Sequence, residues 1–168
     1  RDLPNEISTS RDIEIVAELK AAKEVGGDFY DYFKIDDDHT AIVVGDISGK
    51  GIPAAMFMMK TITCFKNLVA PNKTPAQILK EVNATLFDNN RSQMFVTCFL
   101  AIIKEKTGEL QFANAGHNPP VIGSNKNYQF LKAKHGLLLG MFKNPPLVDE
   151  EYNLKMGESV TLYTDGIS

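Results

Sequence analysis

The chain has 168 residues, 18 Lys and Arg against 21 Asp and Glu, a net charge of −3 and 43% hydrophobic residues. Such proportions belong to an ordinary globular protein and exclude long disorder and collagen-like or low-complexity classes; the length predicts one domain. A mildly acidic chain has no global attraction for a polyanion, which argues against nucleic acid or an anionic membrane as partner, and no apolar run approaches the roughly 18 residues of a spanning helix. Residues 1–10 are polar and hold no signal-peptide core. Cys64 and Cys98 each lie inside an apolar run, as reduced core residues of a cytoplasmic protein do.

In chain order, Ile13, Ile15, Ala17 and Leu19 alternate with neighbours that are charged except at Val16, the period of a half-buried strand. After Gly26-Gly27, residues 29–35 resume extended patterning, Asp36-Asp37-Asp38 reads as a hairpin turn, and residues 40–44 form a buried strand that ends at Gly45-Asp46. Gly49, Gly51 and Pro53 open a helix toward Ala70, with Ala55, Met56, Met59, Thr63 and Leu68 as its apolar stripe. A second helix over 75–88 has a stronger start: Thr74 caps, Pro75 takes the first position and Gln77 completes a capping box. Ile78, Leu79, Val82 and Leu86 share its inner face. Strands are predicted over 94–104 and 109–114, then near Val121, Phe130, Leu138 and Tyr152, and over 159–164. Tight strand connections around two consecutive helices predict an α+β fold with antiparallel pairing.

Familiar catalytic signatures are missing. Gly45 to Gly51 lacks the Ser or Thr of a phosphate loop, there is no Gly-x-Ser-x-Gly elbow and no His-Glu-x-x-His helix, and His39, His117 and His135 fit no zinc spacing. Cys98 is followed by Lys104 where a cysteine-dependent phosphatase needs Arg. Asp36-x-Asp38-x-Thr40 matches the nucleophile motif of haloacid dehalogenases, but residues 32–35 make a poor buried strand and the segment reads as a solvated turn. What remains is a set of carboxylates. Asp28, Asp46 and Asp165 each sit at the rim of a predicted strand beside a glycine, and such carboxylates without His or Cys neighbours suit hard cations such as Mg²⁺ or Mn²⁺. Singly, each also reads as a common turn residue.

Gly26-Gly27-Asp28-Phe29-Tyr30-Asp31 and Gly45-Asp46-Ile47-Ser48-Gly49-Lys50-Gly51-Ile52-Pro53-Ala54-Ala55 resemble the first two motifs of the SpoIIE-type bacterial serine phosphatases, within the metal-dependent PPM family related to the type 2C enzymes. Met94-Phe95-Val96-Thr97, Asn114-Ala115-Gly116-His117-Asn118-Pro119-Pro120, Leu139-Gly140 and Thr164-Asp165-Gly166 continue the match in family order. The resemblance implies a β-sandwich of two antiparallel sheets flanked by helices, in αββα layers, with two Mn²⁺ or Mg²⁺ ions at one end. It implies that Asp46 bridges both ions, that Asp28 and the Ile47 carbonyl complete one ion's protein ligands, and that Asp165 binds the other. A water held between the ions would attack phosphorus in line.

Where type 2C relatives carry His after the bridging Asp, this chain has Ser48; no Arg lies near Asp28, where Lys23 and Lys50 stand either as substitutes or as solvated lysines. His117 reads as a structural loop histidine. The family continues past the Asp165 motif, so residues 1–168 are expected to form a single phosphatase domain that lacks the family's C-terminal segment and one metal ligand. An open sheet edge left there would favour a homodimer. The implied substrate is a phosphorylated protein, commonly a STAS-type anti-sigma-factor antagonist, with a sensor region preceding the domain. A phosphatase-like binding module without turnover and a small-molecule phosphohydrolase are the competing readings.

Overall fold

The alternating and helical periods of the sequence resolve into two helices and a series of antiparallel strands in a computed structural model that describes residues 6–9, 13–19 and 27–165. Lys23, Gly26 and Gly166 lie outside the described residues. Strands β1 (Glu6–Thr9) and β2 (Glu14–Val16) pair with each other. Then follow β3 (Asp28–Lys34), β4 (His39–Ile47), helices α1 (Gly51–Leu68) and α2 (Pro75–Phe87), β5 (Val96–Lys104) and β6 (Glu109–Ala115). The later strands are short: β7 (Val121–Ser124), β8 (Asn127–Phe130), β9 (Glu150–Asn153) and β10 (Ser159–Thr161). A five-stranded sheet runs β3-β4-β5-β6-β9 and a three-stranded sheet β10-β7-β8, both antiparallel throughout.

Strand β5 shows how the layers form. Its side chains alternate between faces. Cys98, Leu100 and Ile102 join a core with Phe57, Phe65, Ile78, Leu79 and Val82 of the helices. Phe99, Ala101 and Ile103 turn the other way, joining Leu110 and Phe112 of β6 against Ile122 and the partly buried Val160 of the smaller sheet. Phe99 and Phe112 stack there with ring centroids 5.3 Å apart. The order is helices, five-stranded sheet, three-stranded sheet; among the described residues both helices lie on the larger sheet. No helix of the described residues is long and apolar enough to cross a membrane.

Helix α2 forms as its sequence predicts. The Thr74 side chain accepts the Gln77 N–H, Gln77 accepts the Thr74 N–H, and Ile78, Leu79, Val82 and Leu86 are buried. Helix α1 begins at Gly51, within the turn that the sequence marks as its opening, but buries a different face. Ala54, Phe57, Thr61, Cys64 and Phe65 point inward, whereas Met56 and Met59 are 68% and 70% exposed and Thr63 is exposed. The helix is apolar on more than one side, so its pattern admits two stripes, and the face carrying the bulky Phe57 and Phe65 is the one that packs.

Two other expectations are corrected. The alternation over 13–19 yields only three strand residues; Ile13, Ile15 and Ala17 are half-buried as read, whereas Leu19 is 43% exposed. No strand forms at Leu138. Leu139 bridges Val96 through two backbone hydrogen bonds, and the next residue's polar groups go to side chains, with Gly140 N–H donating to Asn83 and Gly140 C=O accepting from Asn90.

Candidate active site

Hairpin register brings the first two carboxylates together. In the β3–β4 pair Asp28 lies directly opposite Asp46, and Thr97 of β5 faces Asp46 on its other side. Like charges opposed across a ladder destabilise it, so this pairing runs against the fold's own interest and marks the strand ends as a site. The hairpin turn is held by Asp36, whose carboxylate accepts the Asp38 and His39 N–H groups at 2.8 Å and the His39 ring at 2.9 Å. These bonds hold the Asp36 carboxyl below the usual carboxylate range. The dehalogenase-like motif is therefore a capped turn.

Two glycines make the approach feasible. A Cβ on Gly27 would fall on the Ile47 carbonyl oxygen and lie 2.6 Å from Asp46 Oδ1, so both oxygens border a cradle that any side chain would fill. Ile47 N–H donates to Gly27 C=O at 2.9 Å, fixing the two turns against each other. A Cβ on Gly45 would meet the Phe29 ring at 2.7 Å and the Thr97 carbonyl oxygen at 2.8 Å. The turn after Asp46 is pinned by Ser48, whose N–H donates to Phe95 C=O and whose hydroxyl accepts the Phe95 N–H at 2.8 Å. Lys50 is exposed at the N-terminal cap of α1.

Asp165 arrives from the other sheet, four residues beyond β10. One carboxylate oxygen from each of Asp28, Asp46 and Asp165 lies within 4.8 Å of the others, with Asp165 the exposed member. Thr164 Oγ1 donates to Asp28 Oδ2 at 2.8 Å. Burial, the negative charges of Asp28 and Asp165, and a hydrogen bond with Asp28 together push the Asp46 carboxyl up to about 6. Three carboxylates in this space need a proton or a cation among them, and an oxygen-only donor set beside an open cradle fits a hard divalent ion.

The structure thus brings together Asp28, Asp46, Asp165 and the Ile47 carbonyl. It also brings in Thr97 and Thr164, to which sequence reasoning assigned no role, and His117, which it read as a structural loop histidine. Each lies in one of the quoted motifs, and motif membership was the only signal. His117 is 4% exposed, with Nδ1 3.3 Å from Thr97 Oγ1 and Nε2 3.0 Å from the Tyr163 carbonyl oxygen. Cys98, fully buried, has its thiol pushed far up by burial and takes no part.

The family model described as Stage II sporulation protein E (SpoIIE) matches residues 36–168. The phosphoserine phosphatase RsbU of Bacillus subtilis is 32% identical over 158 residues, covering 93% of this chain and 47% of that protein, so the chain spans about half the length of this relative. Among solved structures, the RsbU and RsbW domains of a Mycobacterium tuberculosis protein superpose with a TM-score of 0.72 at 27% identity, over 90% of this chain and 41% of that one. RsbX in complex with magnesium shares the fold at 16% identity, with a TM-score of 0.70 over 89% of this chain and 71% of that one.

Proposed function

We propose that this chain, which belongs to the SpoIIE family, acts as one catalytic domain: a metal-dependent phosphatase that hydrolyses phosphoserine or phosphothreonine on a partner protein. The observation that carries the reading is the convergence of Asp28, Asp46 and Asp165 from two sheets onto one cradle beside Gly27. Asp46 would be shared by two ions, with Asp28 and the Ile47 carbonyl as ligands on one side and Asp165 on the other. The magnesium named in the RsbX structure and the all-oxygen donor set both support Mg²⁺ or Mn²⁺. When bound, such ions supply Lewis-acid polarisation of the phosphoryl group and a water acidic enough to attack at neutral pH.

The remaining work falls to the chain. Register across β3 and β4 sets Asp28 against Asp46, and the Thr164 hydroxyl orients one Asp28 oxygen. Gly27 keeps the Ile47 carbonyl open. Ser48 spends its acceptor on the Phe95 N–H, so we assign it to holding the turn. The partner we infer is a phosphorylated anti-sigma-factor antagonist of the STAS type, acted on in the cytoplasm under the control of a preceding sensor region. A phosphoprotein substrate accords with the name of the B. subtilis relative.

The test is release of phosphate from candidate phosphoproteins with and without Mn²⁺. Activity is expected only with the ion and should vanish in chelator. Full turnover in chelator, with no metal found by elemental analysis, would overturn the reading.

A further inference from the structure

We propose that His117 is a positioning residue: its imidazole ties the strand beside Asp46 to the segment that carries Asp165, and so holds the third carboxylate against the other two. The inference rests on the metal-site reading above.

The segment before His117 is built to present it. Asn114 Oδ1 accepts the His117 N–H at 2.7 Å while Asn114 Nδ2 donates to the His117 carbonyl at 3.0 Å, clamping the backbone from both sides. Between them Gly116 takes a φ of 72°, a conformation that suits glycine. The ring that emerges bonds at both nitrogens. A carbonyl oxygen can only accept, so the nitrogen facing Tyr163 C=O, Nε2, carries the proton. Nδ1 is then an acceptor for the Thr97 hydroxyl. Burial pushes the imidazole below its ordinary range, which keeps this neutral form in place at neutral pH.

Both ends of this tie lead to the carboxylate cluster. Thr97 faces Asp46 across β4 and β5. Tyr163 stands two residues before Asp165, and the intervening Thr164 is bonded to Asp28. Residues 163 and 164 are therefore each fastened to the five-stranded sheet. Such fastening has a purpose, because Asp165 and Asp46 repel and β10, only three residues long with an exposed–half-buried–exposed pattern, offers the segment little packing. Without the tie, repulsion would swing Asp165 outward, and an incoming ion would have to draw it back before binding. Supporting groups of this kind tune metal affinity without touching the ion.

Two variants of the full chain separate this role from a merely structural one. In His117→Gln the side-chain amide nitrogen reaches the Nε2 position and can still donate to Tyr163; in His117→Asn it reaches only the Nδ1 position. Titration calorimetry with Mn²⁺ is expected to show His117→Asn weakened by about tenfold or more and His117→Gln within about threefold of wild type. The Mn²⁺ needed for half-maximal phosphate release should rise in step, with kcat at saturating Mn²⁺ little changed. Unchanged affinity in His117→Asn, or equal weakening in both variants, would overturn the tie.

Thr97→Val keeps the shape and deletes only the donor to Nδ1, so it answers the question even if His117→Asn fails to fold. It should weaken Mn²⁺ binding a few-fold, and wild-type affinity there would count against the relay. Nitrogen shifts of the His117 ring in chelator should report a proton on Nε2; a proton on Nδ1 alone would overturn the donor assignment. Asp46→Asn keeps the two hypotheses apart. If Asp46→Asn binds Mn²⁺ like wild type, the metal-site reading itself fails. If Asp46→Asn loses the ion while His117→Asn keeps wild-type affinity, only the tie fails.

Discussion

The two sheets that meet at the candidate site are supported unequally. The five-stranded sheet is packed on both faces, and Ala41, Val43, Leu100 and Ala113 within it are wholly excluded from solvent. In the three-stranded sheet every residue of β8 is exposed, and in β10 only Val160 is partly buried. Asp28 and Asp46 come from the first sheet and Asp165 follows the second. Two carboxylates are thus preset by strand register, which cannot slip by one residue without turning a buried face outward. The third is preset by a few hydrogen bonds. A site assembled this way has a rigid half and an adjustable half.

Mutation of the carboxylates should break this comparison most visibly. If Asp46 serves both ions as proposed, Asp46→Asn should lower phosphate release by on the order of 100-fold or more. Asp165→Asn should cost less and recover in part at high Mn²⁺, because a weakly held arm contributes affinity more than architecture. Equal and unrecoverable losses in steady-state assays would show that both halves are rigid. Core truncations should sharpen the contrast. Leu100→Ala, in the packed sheet, is expected to cost about 3 kcal/mol in urea unfolding, and Val160→Ala about 1 kcal/mol. Similar costs would remove the asymmetry.

Smaller effects bear on the same division. Thr74→Ala removes the cap of α2, which covers the rigid sheet, and should cost about 1 kcal/mol with metal affinity unchanged. The smallest effect concerns charge. In metal-free protein Asp46 holds its proton to about 6 when folded, whereas an unfolded chain releases it near 4. The folded state binds the extra proton between those values, so this group's contribution to stability falls as pH rises from about 4 through 6. Because Asp46 is only half-buried, solvent screening holds the effect to about 1 kcal/mol. In chelator, the stability of Asp46→Asn relative to wild type should grow by that amount between pH 4 and pH 7. No growth would mean that the opposed carboxylates cost the fold nothing.

The sequence was most legible where one local rule decided the outcome. Helix α2 carries its own start signal in Thr74, Pro75 and Gln77, and forms as read. The hairpin around Asp36 was equally local. Helix α1 was misread because apolar side chains occupy both Met56 and Phe57 faces, and only packing against the sheet selects between them. The segment at Leu139 and Gly140 was read as a strand because its partners, Val96 for Leu139 and Asn83 and Asn90 for Gly140, are distant in sequence. For the site, spacing alone suggested three carboxylates at strand rims, and resemblance joined them. Their convergence depends on two sheets docking, which no local pattern encodes. Thr97 and Thr164 stayed without roles for the same reason, and the partners of the loop histidine His117 stayed unnamed.

Ile47 shows a consequence of building a site partly from backbone. Its side chain is 2% exposed in the core beneath the helices, while its carbonyl oxygen borders the cradle beside Gly27. Every replacement of Ile47 keeps that oxygen and disturbs that core. An alanine scan would therefore register residue 47 as packing and stay blind to its carbonyl oxygen. Only an edit to the main chain, an ester in place of the amide between residues 47 and 48, would weaken the oxygen itself, and it would also delete the Ser48 N–H that bonds Phe95. Natural variation has no such edit available. It can reach this atom only through its neighbours: Gly27, which leaves it uncovered, and the Ser48–Phe95 pair, which aims it.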